Sequence, residues 1–221
     1  HSRYSISGVG VGAKTLRASK EDSDYKIYSS EISIQKDKVL DFDIVLEVET
    51  LGVQITTPAQ TILKGQELIL EATTTGDPTS YVWSSHKDGE FATTLKTTVK
   101  LQALGVHFLT LTITDENNNT SSDSVQVIVN QAPTPPINLS TSNVVENAIT
   151  LTWEDATDLD DDGNIEAYFV SYKSNSEFSQ EVNTTSTSYT ATSLESNTNY
   201  TFKVRAIDNL GAYSEYAQIQ A

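Results

Sequence analysis

The residue spacing best suited to chemistry in this 221-residue chain is Asp158-Leu159-Asp160-Asp161-Asp162-Gly163-Asn164-Ile165-Glu166. Carboxylates at the alternate positions Asp158, Asp160 and Asp162 can converge on one hard cation. Gly163 permits a sharp turn, and the apolar Ile165 docks the loop. This is the first half of a calcium-binding loop, and a Ca2+ ion held there would bind at the millimolar affinity of extracellular modules. The bidentate Glu that would close the loop belongs at its twelfth position, which is occupied by Phe169. Glu166 or Asp155 could close it from a different geometry. The alternative is an acidic turn that holds no ion.

Other chemistry finds less support. His86 lies beside an Asp-Gly turn and His107 within an alternating strand, and neither has a partner at His-x-x-x-His spacing. Zinc binding and general-base duty are therefore disfavoured. There is no Gly-x-Ser-x-Gly elbow and no phosphate-cradling loop, and Gly8-Val9-Gly10-Val11-Gly12 is not followed by a helix. Carboxylate pairs for glycoside hydrolysis need a cleft floor to hold them a set distance apart, which small β-units rarely provide. The chain is expected not to be an enzyme, and no cofactor is required. Tyr213 and Tyr216 form a candidate sugar-stacking pair, while Tyr168, Tyr172 and Tyr200 alternate in strands as core residues do. Asn118, Asn119, Asn138, Asn183 and Asn199 begin Asn-x-Ser/Thr triplets, which matter only in a source with glycosylation machinery.

The elements that must position these residues are strands. Apolar and polar residues alternate in runs of five to eight, and no window carries a sustained helical repeat, so the fold class is all-β. The 14 basic and 30 acidic residues give a formal charge of −16. Such a balance repels phosphate backbones and anionic lipid, so nucleic acid and membrane insertion are not expected partners. Cysteine is absent, which rules out disulfides and thiolate chemistry. Methionine is absent as well, and the chain is expected to be a processed or excised piece of a longer protein.

Three segments follow from the punctuation: 1–51, 52–131 and 132–221. In the middle segment, Gln66–Ala72, Ser80–Ser85, Gly105–Asp115 and Ser124–Val129 read as strands. In Gly105–Asp115, His107, Leu109, Leu111 and Ile113 face one way and Val106, Phe108, Thr110 and Thr112 the other. The Tyr81-Val82-Trp83 strand, the Asp88-Gly89 turn and the strand from Gly105 to Asp115 make residues 53–130 resemble a polycystic-kidney-disease (PKD)-type, bacterial Ig-like domain. Ser84–Gly89 departs from that family's common Gly-Asp-Gly.

Downstream of the joint Gln131-Ala132-Pro133-Thr134-Pro135-Pro136 lie the Ala148–Trp153 strand, the Leu194–Tyr200 corner and the Tyr200–Ile207 strand. Together they resemble a fibronectin type III domain over Pro133–Ala221. The resemblance implies that Tyr200 reaches back to an upstream backbone group and pins the crossover. Trp83 and Trp153 are expected to fill two separate cores, with the proline-rich joint a stiff linker.

Residues 1–51 offer three strand-like runs, Arg3–Val11, Asp24–Ile34 and Leu40–Val48. They are too few for an independently stable body and are read as the end of a truncated upstream domain, the alternative being a β-extension that packs on the Ig-like domain. The expected function is a non-catalytic spacer or adhesion fragment of a secreted or cell-surface bacterial protein, and its expected location is extracellular. Its partners would be the neighbouring domains of the parent, with a glycan or a surface protein as further partner. The alternatives are a glycan- or protein-binding module of an adhesin or secreted hydrolase, and an assembly subunit exchanging its N-terminal strands.

Overall fold

The computed structural model describes residues 10–18, 28–36, 50–160, 163–175 and 177–221. Among them every regular element is a strand, so the all-β reading stands. The strand-like runs Arg3–Val11 and Leu40–Val48 fall largely or wholly outside these residues. Among the described residues, β1 (Gly12–Ala18) pairs antiparallel with β2 (Tyr28–Ile34), the latter within the expected run Asp24–Ile34.

The next body contains β3 (Gly52–Ile55), β4 (Gln60–Leu63), β5 (Glu67–Leu70), β6 (Ala72–Thr75), β7 (Pro78–Ser85), β8 (Gly89–Ala92), β9 (Thr97–Lys100), β10 (Gly105–Asp115) and β11 (Thr120–Asn130). Its main sheet has the order β4-β11-β10-β7-β8. The pairs β3-β6 and β5-β9 supply the rest. The expected single strand over Gln66–Ala72 is broken at Glu71, because β5 pairs with β9 while β6 pairs with β3. The Glu71 carbonyl is turned to the amides of Thr56 and Thr57 instead of a ladder partner. The first strand divides in the same way, and Pro58, which has no amide to donate, lies between β3 and β4.

The alternation in β10 is what builds the core. Leu109, Leu111 and Ile113 are fully buried and pack with Trp83, Leu70, Val127 and Val129, while Phe108 on the opposite side is half exposed. Side chains in a strand point alternately to the two faces, so a single apolar-polar pattern fixes which face meets the opposing layer.

The last body is built from β12 (Ile137–Val145), β13 (Ala148–Glu154), β14 (Ile165–Lys173), β15 (Val182–Thr184), β16 (Ser188–Thr192), β17 (Thr201–Asp208) and β18 (Ala217–Gln220). One sheet runs β12-β13-β16 and the other β15-β14-β17-β18. Their inner faces enclose Leu151, Trp153, Tyr168, Val170, Phe202 and Val204. Trp83 and Trp153 therefore sit in two distinct cores, as their strands predict. The Tyr200 hydroxyl accepts the Glu195 amide at 2.9 Å, the corner the sequence implied. Tyr168 serves the core from β14, its hydroxyl accepting the Ala156 amide at 3.2 Å and donating to Asp155 Oδ1 at 2.9 Å. Burial pushes this phenol up to about 12.

Candidate functional site

One set of polar residues links the two sandwiches where they meet. Asn130 closes β11, its backbone paired with β4, and is 1 % exposed. Its side-chain amide leaves the first body and donates to Asp208 Oδ2, at the end of β17, at 3.0 Å. The other oxygen of Asp208 accepts the amides of Leu210 and Ala212 at 2.9 and 2.8 Å, so one carboxylate shapes the β17–β18 connection and also receives the linker. The next residue, Gln131, directs its amide at both oxygens of Asp160, at 3.2 and 3.1 Å. Further along, the Thr134 amide donates to the Thr157 carbonyl and the Thr157 amide returns to Thr134 Oγ1, both at 2.8 Å. The proline-rich joint is thus tied to the second sandwich at three successive points.

The acidic loop takes part in this joint. Asp158 Oδ1 accepts the Asp160 amide at 3.2 Å, and the Asp160 carbonyl accepts the Gly163 amide at 3.0 Å. Asp158 Oδ2 is shielded from solvent and accepts no hydrogen bond from the protein. Asp162 lies outside the described residues. Among the described residues no three His, Asp or Glu side chains gather to hold a metal ion. Gly163 has a role other than the turn expected of it: an added Cβ would lie 2.6 Å from Asp158 Cγ, so only glycine lets the loop close over that side chain. Sequence spacing found the loop, but it missed Asn130 and Asp208. The one available signal is that Ile207-Asp208 repeats the strand-to-turn position of Thr114-Asp115.

Asp115 works in the same manner at the end of β10. Its oxygens accept the amides of Asn117 and Asn119 and the Asn119 side chain at 2.8–2.9 Å. The Asn119 side-chain bond leads the effects that hold this carboxyl below its ordinary value, against the opposing effect of burial.

His86 and His107 both make hydrogen bonds that hold the first sandwich together. His107 is fully buried, and its Nε2 donates to the Ala103 carbonyl at 2.7 Å, leaving Nδ1 to accept from Ser85 Oγ at 2.7 Å. His86 Nδ1 accepts the Phe108 amide at 3.1 Å.

A second constellation covers the outer face of the β15-β14-β17-β18 sheet. Lys173 and Lys203 lie over the Phe178 ring, 4.8 and 4.3 Å from its centroid. Lys203 is also 4.1 Å from the Tyr216 centroid, and Arg205 lies 4.9 Å from Tyr216 and 4.0 Å from Tyr213. Phe169 meets Tyr213 edge-on at 5.4 Å. Cations and rings therefore alternate in the order Lys173, Phe178, Lys203, Tyr216, Arg205, Tyr213. Glu181 anchors the row, accepting from Arg205 Nη2 at 2.6 Å and from the Tyr216 hydroxyl at 2.5 Å. Burial alone would raise this carboxyl; the Tyr216 and Arg205 hydrogen bonds and the nearby positive charges more than offset it, holding it below its usual value. Tyr216 moves the other way, raised by burial and by the adjacent carboxylate. The expected Tyr213 and Tyr216 pair is thus present, but the two rings flank Arg205 instead of forming a bare platform.

Comparison with known proteins places this geometry in a class. The profile of the Fibronectin type III domain family matches residues 132–220, and these residues are a fibronectin type III domain. Among solved structures, domains A168–A170 of titin align with 96 % of this chain and 74 % of that one, at 19 % identity and a TM-score of 0.57. Fibronectin(III)-like modules of Clostridium thermocellum CbhA align with 76 % of this chain and 92 % of theirs, at 18 % identity and a TM-score of 0.42. The chicken CNTN1 FN1–FN3 domains align with 76 % of this chain and 65 % of theirs, at 15 % identity and a TM-score of 0.43. The titin likeness shows the fold: consecutive β-sandwiches. No curated protein sequence matches. Among the described residues no helix is long and apolar enough to cross a membrane, which leaves strand-built barrels unaddressed.

Proposed function

We propose that this chain is a non-catalytic spacer of a secreted or cell-surface bacterial protein, which holds neighbouring domains at a set separation. Residues 53–130 are read as a PKD-type Ig-like sandwich preceding the fibronectin type III domain. The observation that carries this reading is the tied joint. Asn130 to Asp208, Gln131 to Asp160 and Thr134 to Thr157 remove the freedom that a bare linker would leave. Interfaces within a chain move by default unless they are large and apolar; here buried hydrogen bonds to carboxylates, among the stronger polar contacts, take that part. The absence of cysteine makes the test simple. Spin labels on Thr98→Cys and Ser188→Cys, both exposed strand positions, report the distance across the joint. A single narrow distribution that broadens in Asp208→Ala supports the reading. A broad distribution in the parent chain overturns it.

A second reading, calcium at the Asp158 loop, is favoured by Asp158 Oδ2, which among the loop's described residues is shut from solvent without a protein donor. Millimolar Ca2+ should then raise the melting temperature by a few degrees over a chelated sample. Asp158→Asn should abolish that rise. Identical melts with and without calcium refute it.

A further inference from the structure

Lys173, Lys203 and Arg205 are the only Lys or Arg residues between Gln131 and Ala221, in a stretch that holds 13 Asp and Glu. All three stand on one face. The register explains why: Lys173 pairs with Thr201, and Thr201, Lys203 and Arg205 are alternate residues of β17, so their side chains share a side of the sheet. Two residues of strand advance about 7 Å, so the three positions form a line with a step of roughly that length. Glu181 offsets one of the three charges, leaving a net positive row on a protein whose formal charge is −16.

Hydrogen-bonding amides border this row. Gln218 lies opposite Lys203 and Gln220 opposite Thr201 on β18, and both are exposed. Asn183 lies opposite Phe169 on β15. At one end of the row, Tyr213 carries Arg205 over its ring, meets Phe169 edge-on and stays 42 % exposed. A partly exposed aromatic ring at the end of a line of cations, bordered by amides, fits a linear polymer of sugar rings bearing carboxylates. The ring stacks one sugar, the cations meet the carboxylates and the amides meet the hydroxyls. An acidic protein partner would need apolar anchors at the centre of its contact, and here the centre is occupied by lysines already seated on rings.

We propose that this face is a docking surface for a uronate-bearing polysaccharide. The acidic remainder of the domain repels a polyanion and so confines it to this one face, which sets orientation more than strength. The proposal does not depend on a rigid joint and stands if the spacer reading fails.

The test is calorimetric titration of the full chain with polygalacturonate at low salt, beside its methyl ester, which has the same backbone without the charge. Binding to the acid form that weakens at least tenfold on esterification, in Lys173→Gln/Lys203→Gln and on raising salt to 0.5 M is the expected result. Tyr213→Ala should weaken binding severalfold with little change in its salt dependence. Circular dichroism and melting curves establish that each variant is folded. Equal affinity for poly-glutamate would overturn the proposal in favour of an acidic peptide. Self-association relieved by the lysine variants would overturn it in favour of a second copy of the chain. Absence of binding to polygalacturonate at low salt overturns it outright.

Discussion

Asn130 and Asp208 lie 78 residues apart in sequence and are joined by a buried 3.0 Å hydrogen bond, each at the last position of a strand in a different sandwich. The bond lets one residue end the first body and begin the second. Asp208→Ala leaves the amides of Leu210 and Ala212 and the Asn130 side chain without their acceptor. We expect about 2–4 kcal/mol of lost stability, from several charge-assisted bonds removed inside the protein. Asn130→Ala should cost about 1 kcal/mol. Urea unfolding followed through Trp153, with Trp83→Phe as background, measures both. A loss under 0.5 kcal/mol for Asp208→Ala would contradict the role given to it.

Tyr200→Phe removes only the hydroxyl that accepts the Glu195 amide. The ring stays packed beside Tyr172 and Phe202, so the change isolates the corner bond. A loss of about 1 kcal/mol is expected, read by the same unfolding assay. Hydrogen exchange at the Glu195 amide should rise together with it.

Alkaline pH should unfold the C-terminal sandwich by a route that Tyr168 controls. Its phenol is raised from 10 to about 12, so between these values the unfolded chain releases a proton that the folded chain retains. Stability therefore falls as pH rises through that window. Tyr168→Phe should remain less stable at neutral pH yet lose less on going from pH 10 to 12. An unchanged slope would refute this.

Acid should act in the opposite direction through Asp115 and Glu181, both held below their ordinary values. Each contributes stability above its unfolded pKa, and that contribution is lost as pH falls through the lower folded value. Asp115→Asn should flatten the decline below pH 4 in the first sandwich, and Glu181→Gln in the second. Chemical shift titration of the two carboxyls would confirm the direction of both shifts.

The sequence alone specified the strands, because alternation is a local property: β10 could be divided into buried and outward faces before any partner was known. It placed the two tryptophans in separate cores and located the Tyr200 corner, whose bond spans only five residues. It also singled out Asp158 and Asp160, which are close in sequence. It did not show that Glu71 divides a strand between two sheets, since that depends on which neighbours β5 and β6 find. The Asn130–Asp208 bond and the row of Lys173, Lys203 and Arg205 were likewise decided by tertiary structure. Strand register brings these side chains together over tens of residues, and no spacing rule carries that information.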